Sequence, residues 1–155
     1  MKERKVLIIE DDPDHADLIL DIFKMENVKD EVLLMKDGEE VIDFFNNMDS
    51  SAQDSQSSTD DVNGRPSLID LMILDLNLPK VNGMDVLKFL KKNPGYCSIP
   101  VVILSTSSDQ DTILEAYRNG ANGYVTKPMS YEEFIQKIES LRDYWFGTNV
   151  LPVKN

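Results

Sequence analysis

The sequence has few of the side chains that build disulfide frameworks or reactive thiol sites. Its 155 residues include one cysteine, Cys97, and one histidine, His15. A single cysteine cannot form a disulfide within the chain, and a catalytic thiol needs an activating base close to it. Because the lone histidine lies far from Cys97 in the sequence, we expect a structural thiol and a fold that does not depend on oxidation.

Basic residues and long apolar segments are also scarce. Lysine and arginine number 16 against 28 aspartates and glutamates, which gives a formal net charge of −12. A surface this acidic repels nucleic acid and anionic membranes. No apolar run approaches the roughly 18 residues that span a bilayer, and the first residues do not resemble a signal peptide. We therefore expect a cytoplasmic protein with neither nucleic acid nor membrane as a partner.

What the chain does contain is a regular alternation of two kinds of segment. Short apolar segments rich in branched residues predict buried strands at 5–9, 32–35, 71–75, 101–105 and 124–126. Segments with helical spacing of apolar residues follow each of them, and the last begins with the capping box Ser130 to Glu133. This pattern predicts an α/β fold of the (βα)5 kind, a flavodoxin-like, doubly wound parallel sheet of five strands with helices on both faces.

One segment interrupts the alternation. Residues 49–64 read DSSAQDSQSSTDDVNG, with five serines, four aspartates and almost no apolar side chain. Such a segment buries too little apolar surface to offset its ordering entropy. We predict an acidic, serine-rich loop at 49–66, inserted before the third strand of a single domain that spans residues 1–146. Residues 147–155 then form a C-terminal extension.

Polar side chains stand where four of the predicted strands end. Glu10 and Asp11 follow the first strand, Asp75 ends the third, Ser105 ends the fourth and Lys127 follows the fifth. The carboxyl ends of parallel strands share one edge of a sheet, so these groups are expected to converge. Clustered carboxylates that must also accommodate phosphate oxygens suit Mg²⁺. One carboxylate of such a cluster can attack phosphorus while a lysine stabilises the negative charge.

These segments together resemble the receiver domain of bacterial and archaeal response regulators. The resemblance is carried by IEDD at 9–12, ILDLNLP at 73–79 with Gly83, VILS at 102–105, and Lys127 followed by Pro128. It extends from Lys5 to about Tyr144. It implies a single-domain response regulator of a two-component phosphorelay, which accepts a phosphoryl group from a histidine kinase and then switches partner binding or dimerisation. It implies a phosphoacceptor with self-catalysed transfer and autodephosphorylation, not a conventional turnover enzyme.

The resemblance also implies the residues of the acceptor and metal site. Asp75 would be the phosphoacceptor. Glu10, Asp11, Asp75 and the backbone carbonyl of Asn77 would bind Mg²⁺. The third acidic residue of the first motif, Asp12, is expected to begin the first helix instead of binding the metal.

The same resemblance assigns the residues of a switch. Lys127 would pair with Asp75 at rest and with the phosphoryl group after transfer. Ser105 would move to bond a phosphoryl oxygen, and the ring of Tyr124 would turn inward as it moves. The peptide bond between Lys127 and Pro128 is often cis in this family. His15 is expected on an exposed face of the first helix, without a part in the chemistry.

The chain ends in three adjacent aromatic residues, Tyr144, Trp145 and Phe146. An exposed aromatic patch marks an interface, so we predict a homodimer contact here and on the face of the fourth helix, fifth strand and fifth helix. The alternative is that the segment folds back over its own core. This ending and the DLNLPKVNG motif look like the subgroup that partners phytochrome-type and related hybrid histidine kinases, whose members are often dimers.

Two other functions compete with this interpretation. A receiver-like fold can act as an interaction module that needs no phosphate, although such proteins usually lose one of the residues named above. Haloacid-dehalogenase-type phosphatases also attack with an aspartate at a strand end. Their motif carries a second aspartate two positions later as a general acid, and the residue there is Asn77, which cannot serve that role.

Overall fold

Strands and helices alternate along the chain in the computed structural model, which describes residues 4–24, 30–54 and 69–152, the side chains of 49–54 excepted. The strands are β1 Lys5–Ile9, β2 Glu31–Met35, β3 Leu71–Asp75, β4 Val101–Ser105 and β5 Gly123–Thr126. The helices are α1 Pro13–Lys24, α2 Gly38–Asp54, α3 Gly83–Lys92, α4 Gln110–Arg118 and α5 Tyr131–Asp143, and a π-helical turn, Tyr144–Thr148, follows. None of the helices in these ranges is both long and apolar enough to span a bilayer.

All five strands are parallel and stand in the order β2-β1-β3-β4-β5. The chain leaves β1 toward one edge of the sheet and returns on the other side of β1 with β3. The strand order therefore reverses between β1 and β3, and this is where ligands bind in sheets of this kind. The predicted doubly wound architecture is confirmed.

The core consists of two layers, one on each face of the sheet. Leu7 and Ile9 of β1 pack into the layer that is covered by α2, α3 and α4. Val6 and Ile8 pack into the other layer, under α1 and α5. Because both faces of the strand are covered, every position of the apolar run is buried, which explains why this strand shows no polar alternation.

Helix α2 extends further than the sequence indicated. It runs to Asp54, so residues 49–54, expected as the beginning of the acidic loop, are helical. A helix that already exists adds one backbone hydrogen bond for each residue it fixes, and this favours extension even through serine and aspartate. The expectation of a loop is wrong for these six residues, and 55–66 lie outside the described residues.

The start of α3 presses closely on the end of β3. A Cβ atom placed on Gly83 would overlap the carbonyl oxygen of Asp75 and lie 2.5 Å from the Cα of Leu76. The backbone nitrogen of Gly83 also donates a hydrogen bond to the carbonyl of Leu76 at 3.0 Å. Only glycine permits this approach, and the approach fixes the backbone that carries the Asp75 side chain.

We expect Gly83→Ala to destabilise the protein by about 1–3 kcal/mol, the usual cost of overpacking a filled site. Gly147→Ala is the matched control, since nothing lies within 4 Å of a Cβ at that position. Urea unfolding of both variants measures the difference in the free energy of unfolding. Equal stabilities for the two variants would contradict the close approach.

The aromatic segment at the C-terminus divides between the core and the surface. The ring of Phe146 meets Phe23 edge to face with centroids 5.7 Å apart. The Arg4 guanidinium lies 4.1 Å from the centroid of the same ring. Trp145 also packs against the layer under α1 and α5, whereas Tyr144 is 51% exposed. The alternative of folding back over the core therefore describes Trp145 and Phe146, and a dimer contact through Tyr144 stays a prediction.

Candidate functional site

The groups expected to converge do lie together at the carboxyl edge of the sheet. Asp75 pairs in register with Leu104, and Ser105 pairs with Thr126, so β3, β4 and β5 end at nearly the same level. Glu10 and Lys127 directly follow β1 and β5. The site is thus a product of strand register, which places polar side chains from the ends of β1, β3, β4 and β5 at one edge of the sheet.

Three carboxylates form the acidic centre of this edge. Oxygen atoms of Glu10, Asp11 and Asp75 all lie within 4.8 Å of one another. Glu10 and Asp75 are almost fully buried, with 2% and 4% of their surface exposed, while Asp11 is open to solvent. Three carboxylate oxygens from a partly open site fit a hard divalent cation such as Mg²⁺, which retains several water ligands.

The ammonium of Lys127 lies among these carboxylates. Its Nζ is 2.7 Å from Oε2 of Glu10 and 3.1 Å from Oδ2 of Asp75, and 5% of the side chain is exposed. Burial opposes the charged form of Lys127, but the hydrogen bond to Glu10 and the charge of Asp75 outweigh it and raise the pKa of the ammonium. Lys127 is therefore a permanent cation beside Asp75.

The same surroundings raise the pKa of Glu10 above that of an exposed carboxylate. Burial raises its pKa from 4.5 to about 7, the charge of Asp75 acts in the same direction, and the hydrogen bond from Lys127 opposes both. A cation bound between the carboxylates would favour the ionised form. Metal binding and proton release are therefore linked at Glu10.

In the metal-free protein we expect Glu10 to make stability depend on pH. The unfolded chain binds this proton below pH 4.5 and the folded protein holds it up to about pH 7. The stabilisation is therefore complete below pH 4.5 and is lost as the pH rises through about 7. Glutamine in Glu10→Gln does not titrate, so the free energy of unfolding of this variant should not show this loss as the pH rises. Denaturant unfolding of both proteins, with a chelator present, measures the free energy of unfolding at each pH. Identical pH profiles for the two proteins would contradict this role of Glu10.

A chain of hydrogen bonds leads from β4 toward α4. Ser105 is 1% exposed, and its Oγ accepts a hydrogen bond from the backbone nitrogen of Ser107 at 3.1 Å. The hydroxyl of Tyr124 donates to the carbonyl of Ser107 at 2.8 Å. Ser107 Oγ in turn accepts from the nitrogen of Asp109, the N-cap of α4. Ser105 on β4 and Tyr124 on β5 thus both form hydrogen bonds with the backbone of Ser107, in the loop before α4.

Asp12 of the first motif and Asn77 of the second have different roles in the structure. Asp12 accepts hydrogen bonds from the backbone nitrogens of Asp14 and His15, so it begins α1 as expected. The backbone nitrogen of Asn77 donates to Oδ1 of Asp75 at 3.0 Å, and the Asn77 side chain is exposed. Metal binding by the Asn77 carbonyl stays a prediction.

Two features beside Lys127 differ from what the resemblance and the sequence suggested. No cis peptide bond occurs in the described ranges, so the bond to Pro128 is trans, the form that X–Pro bonds favour. His15 was expected on an exposed helix face, but 37% of its side chain is exposed and the ring contacts two neighbours. Its Nδ1 is 3.2 Å from Nζ of Lys127, and its ring lies 5.0 Å from the ring of Phe134.

A signal for His15 was present in the sequence. Positions 15, 19 and 23 share one side of a helix, and Ile19 and Phe23 are apolar. That side is the one α1 turns toward the sheet and α5, where Ile19 and Phe23 are buried. His15 begins this buried side of α1 and follows the acidic motif by about one turn. Its position therefore predicts a side chain close to the site.

Comparisons with known proteins agree with this geometry. The response regulator receiver domain model matches residues 6–139. The probable methanogenesis regulatory protein FilR2 of Methanothrix harundinacea is 33% identical over 147 residues, 95% of this chain and 86% of that protein. Response regulator Rcp1 of Synechocystis is 30% identical and covers 95% of this chain and 92% of its own length. The crystal structure of its Mn²⁺-bound form has a TM-score of 0.81 at 27% identity, over 97% of this chain and 99% of that one.

The phosphorylated cyanobacterial phytochrome response regulator RcpA gives a further match. Its crystal structure superposes with a TM-score of 0.83 at 30% identity, and the match covers 98% of this chain and 100% of that one. The family model, the two relatives and the superpositions describe the same domain over nearly the whole chain. This protein belongs to the response regulator receiver domain family.

Proposed function

We propose that this response regulator accepts a phosphoryl group on Asp75 in a Mg²⁺-dependent step. The observation that carries the proposal is the position of Lys127, whose ammonium bonds Asp75 and Glu10 within a group of three carboxylates. A carboxylate that touches a fixed ammonium beside a divalent cation site has what a phosphoryl acceptor needs. The nucleophile, a counter-charge for the phosphoryl oxygens and room for the metal are all present.

In the proposed reaction a carboxylate oxygen of Asp75 attacks the phosphorus atom of the donor. The new O–P bond makes an acyl phosphate, and the bond from phosphorus to the donor breaks, so its electron pair leaves with the donor. Lys127 holds Asp75 in place and then stabilises the charge on a phosphoryl oxygen. Mg²⁺ held by Glu10, Asp11, Asp75 and the Asn77 carbonyl would neutralise the remaining charge. Water later hydrolyses the acyl phosphate and restores the carboxylate, so the protein is a phosphoacceptor more than a turnover enzyme.

The proposed donor is a histidine kinase. RcpA and a second similar structure, a response regulator in red light signalling of R. palustris, are named for light-sensing systems. The likeness to them supports a kinase of the phytochrome type or a hybrid kinase as the partner. A cytoplasmic location, expected from the sequence, stays a prediction.

The test is the intact mass of the protein after incubation with acetyl phosphate. One labile phosphoryl group is expected in Mg²⁺, and none once a chelator has removed the metal. No addition with any small donor in Mg²⁺ would contradict the proposal. That result would favour a phosphate-independent interaction module.

We further propose that phosphorylation switches the face formed by α4, β5 and α5. An open groove of about 950 Å³ lies on this face, and the residues that line it include Ile113, Tyr117, Tyr124, Lys137 and Tyr144. Tyr117 and Tyr144, which both line the groove, are each about half exposed, at 49% and 51%. Half-exposed aromatic and apolar side chains around one groove support a homodimer contact there. The hydrogen-bonded chain from Ser105 through Ser107 to Tyr124 reaches this groove.

Ser105→Ala is expected to accept the phosphoryl group at close to the wild-type rate but to switch poorly. The lost hydrogen bond to a charged phosphoryl oxygen is worth about 1.5–3 kcal/mol, so the switch equilibrium should fall by about tenfold or more. Light scattering during size exclusion measures the dimer fraction with and without phosphorylation. Exposed Ser98 provides the control variant Ser98→Ala. A full phosphate-dependent shift in Ser105→Ala would rule out this role.

A further inference from the structure

The head group of Lys127 has three acceptors around it in the described part of the chain. Two are the carboxylates of Glu10 and Asp75, and the third is Nδ1 of His15 at 3.2 Å. An ammonium has three N–H donors and no acceptor. The three neighbours therefore match the three N–H donors, and His15 supplies the one acceptor that is not a carboxylate.

The contact to Lys127 favours one tautomer of the His15 ring. Because the ammonium can only donate, the 3.2 Å contact is a hydrogen bond when Nδ1 accepts, which places the ring proton on Nε2. The carboxylates near the ring are further away, with 3.6 Å to Oδ2 of Asp12 and 3.9 Å to Oε1 of Glu10. The shortest polar contact of the ring is thus the one to Lys127.

The ring is held in this orientation from the side of α5. Its centroid lies 5.0 Å from that of Phe134, with the two planes at 40°. Phe134 is itself 3% exposed within the layer under α1 and α5. A buried aromatic ring thus supports the imidazole, and the imidazole contacts the ammonium.

The three acceptors differ in what a metal ion would do to them. Glu10 and Asp75 belong to the carboxylate group that fits Mg²⁺, whereas an imidazole nitrogen is a poor ligand for so hard a cation. Oxygens shared with a cation hold the ammonium less strongly. The geometry points to His15 as a positioning residue that keeps the Lys127 ammonium beside Asp75 when the carboxylates are engaged by the metal. Its consequence for transfer rests on the proposed function, whereas the contact itself does not.

The contact is tested by nitrogen-15 NMR of the His15 ring, which is the only histidine ring in the protein. At neutral pH, with and without Mg²⁺, the spectrum is expected to show a neutral ring with its proton on Nε2 and a hydrogen-bonded Nδ1. Lys127→Met should shift the Nδ1 resonance toward that of a free acceptor. A proton on Nδ1, a doubly protonated ring, or a resonance indifferent to Lys127→Met overturns the inference.

The consequence for transfer is tested by two substitutions at His15. His15→Leu keeps the contact with Phe134 but removes the acceptor, and we expect phosphorylation by acetyl phosphate in Mg²⁺ to slow by about tenfold. His15→Asn places Oδ1 where Nδ1 was, and it should recover most of the wild-type rate. Asp17→Asn, an exposed change two residues further along α1, is the control. Thermal unfolding of every variant shows whether it is folded.

The outcomes separate the two proposals. Slow phosphorylation of His15→Leu, together with a nearly wild-type rate for His15→Asn, supports the positioning role. A His15→Leu rate equal to or above wild type overturns it, and so do equal losses in both variants, which would indicate packing alone. If wild-type protein accepts no phosphoryl group, the proposed function fails, and the NMR measurement still decides whether His15 holds Lys127.

Discussion

Asp75→Asn is expected to abolish phosphorylation while leaving the fold intact. Asparagine has nearly the shape of aspartate and its Oδ1 can still accept the hydrogen bond from the Asn77 nitrogen, which is 3.0 Å from Asp75 Oδ1. It has no carboxylate oxygen with which to attack phosphorus. The substitution removes one negative charge from three crowded carboxylates, which offsets part of the loss of the hydrogen bond that Oδ2 of Asp75 accepts from Lys127.

Intact mass after incubation with acetyl phosphate and Mg²⁺ measures the loss. The control is Asp85→Asn, which removes an exposed carboxylate from the first turn of α3 and should leave the addition unchanged. An equal phosphoryl addition in folded Asp75→Asn would show that another residue is the acceptor.

Lys127→Met is expected to slow phosphorylation by about a hundredfold, as when one preorganised donor to a developing charge is removed. The methionine fills the space of the lysine stem but leaves Glu10 and Asp75 without their common partner, which lies within 3.1 Å of both. The like charges of these buried groups then oppose folding in the absence of a metal. Because the ammonium no longer competes for the carboxylates, Mg²⁺ should bind more tightly than in wild type.

Two measurements distinguish these effects of Lys127→Met. Calorimetric titration with Mg²⁺ gives the affinity, and the time course of phosphoryl addition gives the rate. Lys92→Met, an exposed change at the end of α3, is the control for loss of a positive charge. If Lys127→Met is phosphorylated at the wild-type rate in saturating Mg²⁺, Lys127 does not contribute to phosphoryl transfer.

Much of the fold was predictable because its strands are buried on both sides. Uninterrupted apolar runs such as Leu71–Leu74 and Val101–Leu104 leave few alternatives to a parallel sheet covered by helices. The acidic and polar residues that end these runs then had to meet at one edge. Glu10, Asp75 and Lys127 lie together for that reason, and this depends on register more than on any single motif.

The contacts that sequence reasoning missed depend on how helices pack across the site. His15 reaches Lys127 because α1 lies against α5, where Phe134 supports the ring, and no spacing along the chain specifies that distance. The extension of α2 to Asp54 follows from helix continuation, which outweighs the weak local preferences of serine and aspartate. Phe146 packs on Phe23 through a turn whose direction the aromatic run did not indicate.

Reduction with borohydride identifies the residue that carries the phosphoryl group, which we propose is Asp75. The reagent reduces the carbonyl of an acyl phosphate to an alcohol and releases phosphate, so a phosphorylated aspartate becomes homoserine. Fragmentation of the peptide that contains residues 71–79 then locates the change. Homoserine at Asp75, formed only after treatment with acetyl phosphate and Mg²⁺, is the predicted result. Conversion at another carboxylate, or at none, would contradict the account.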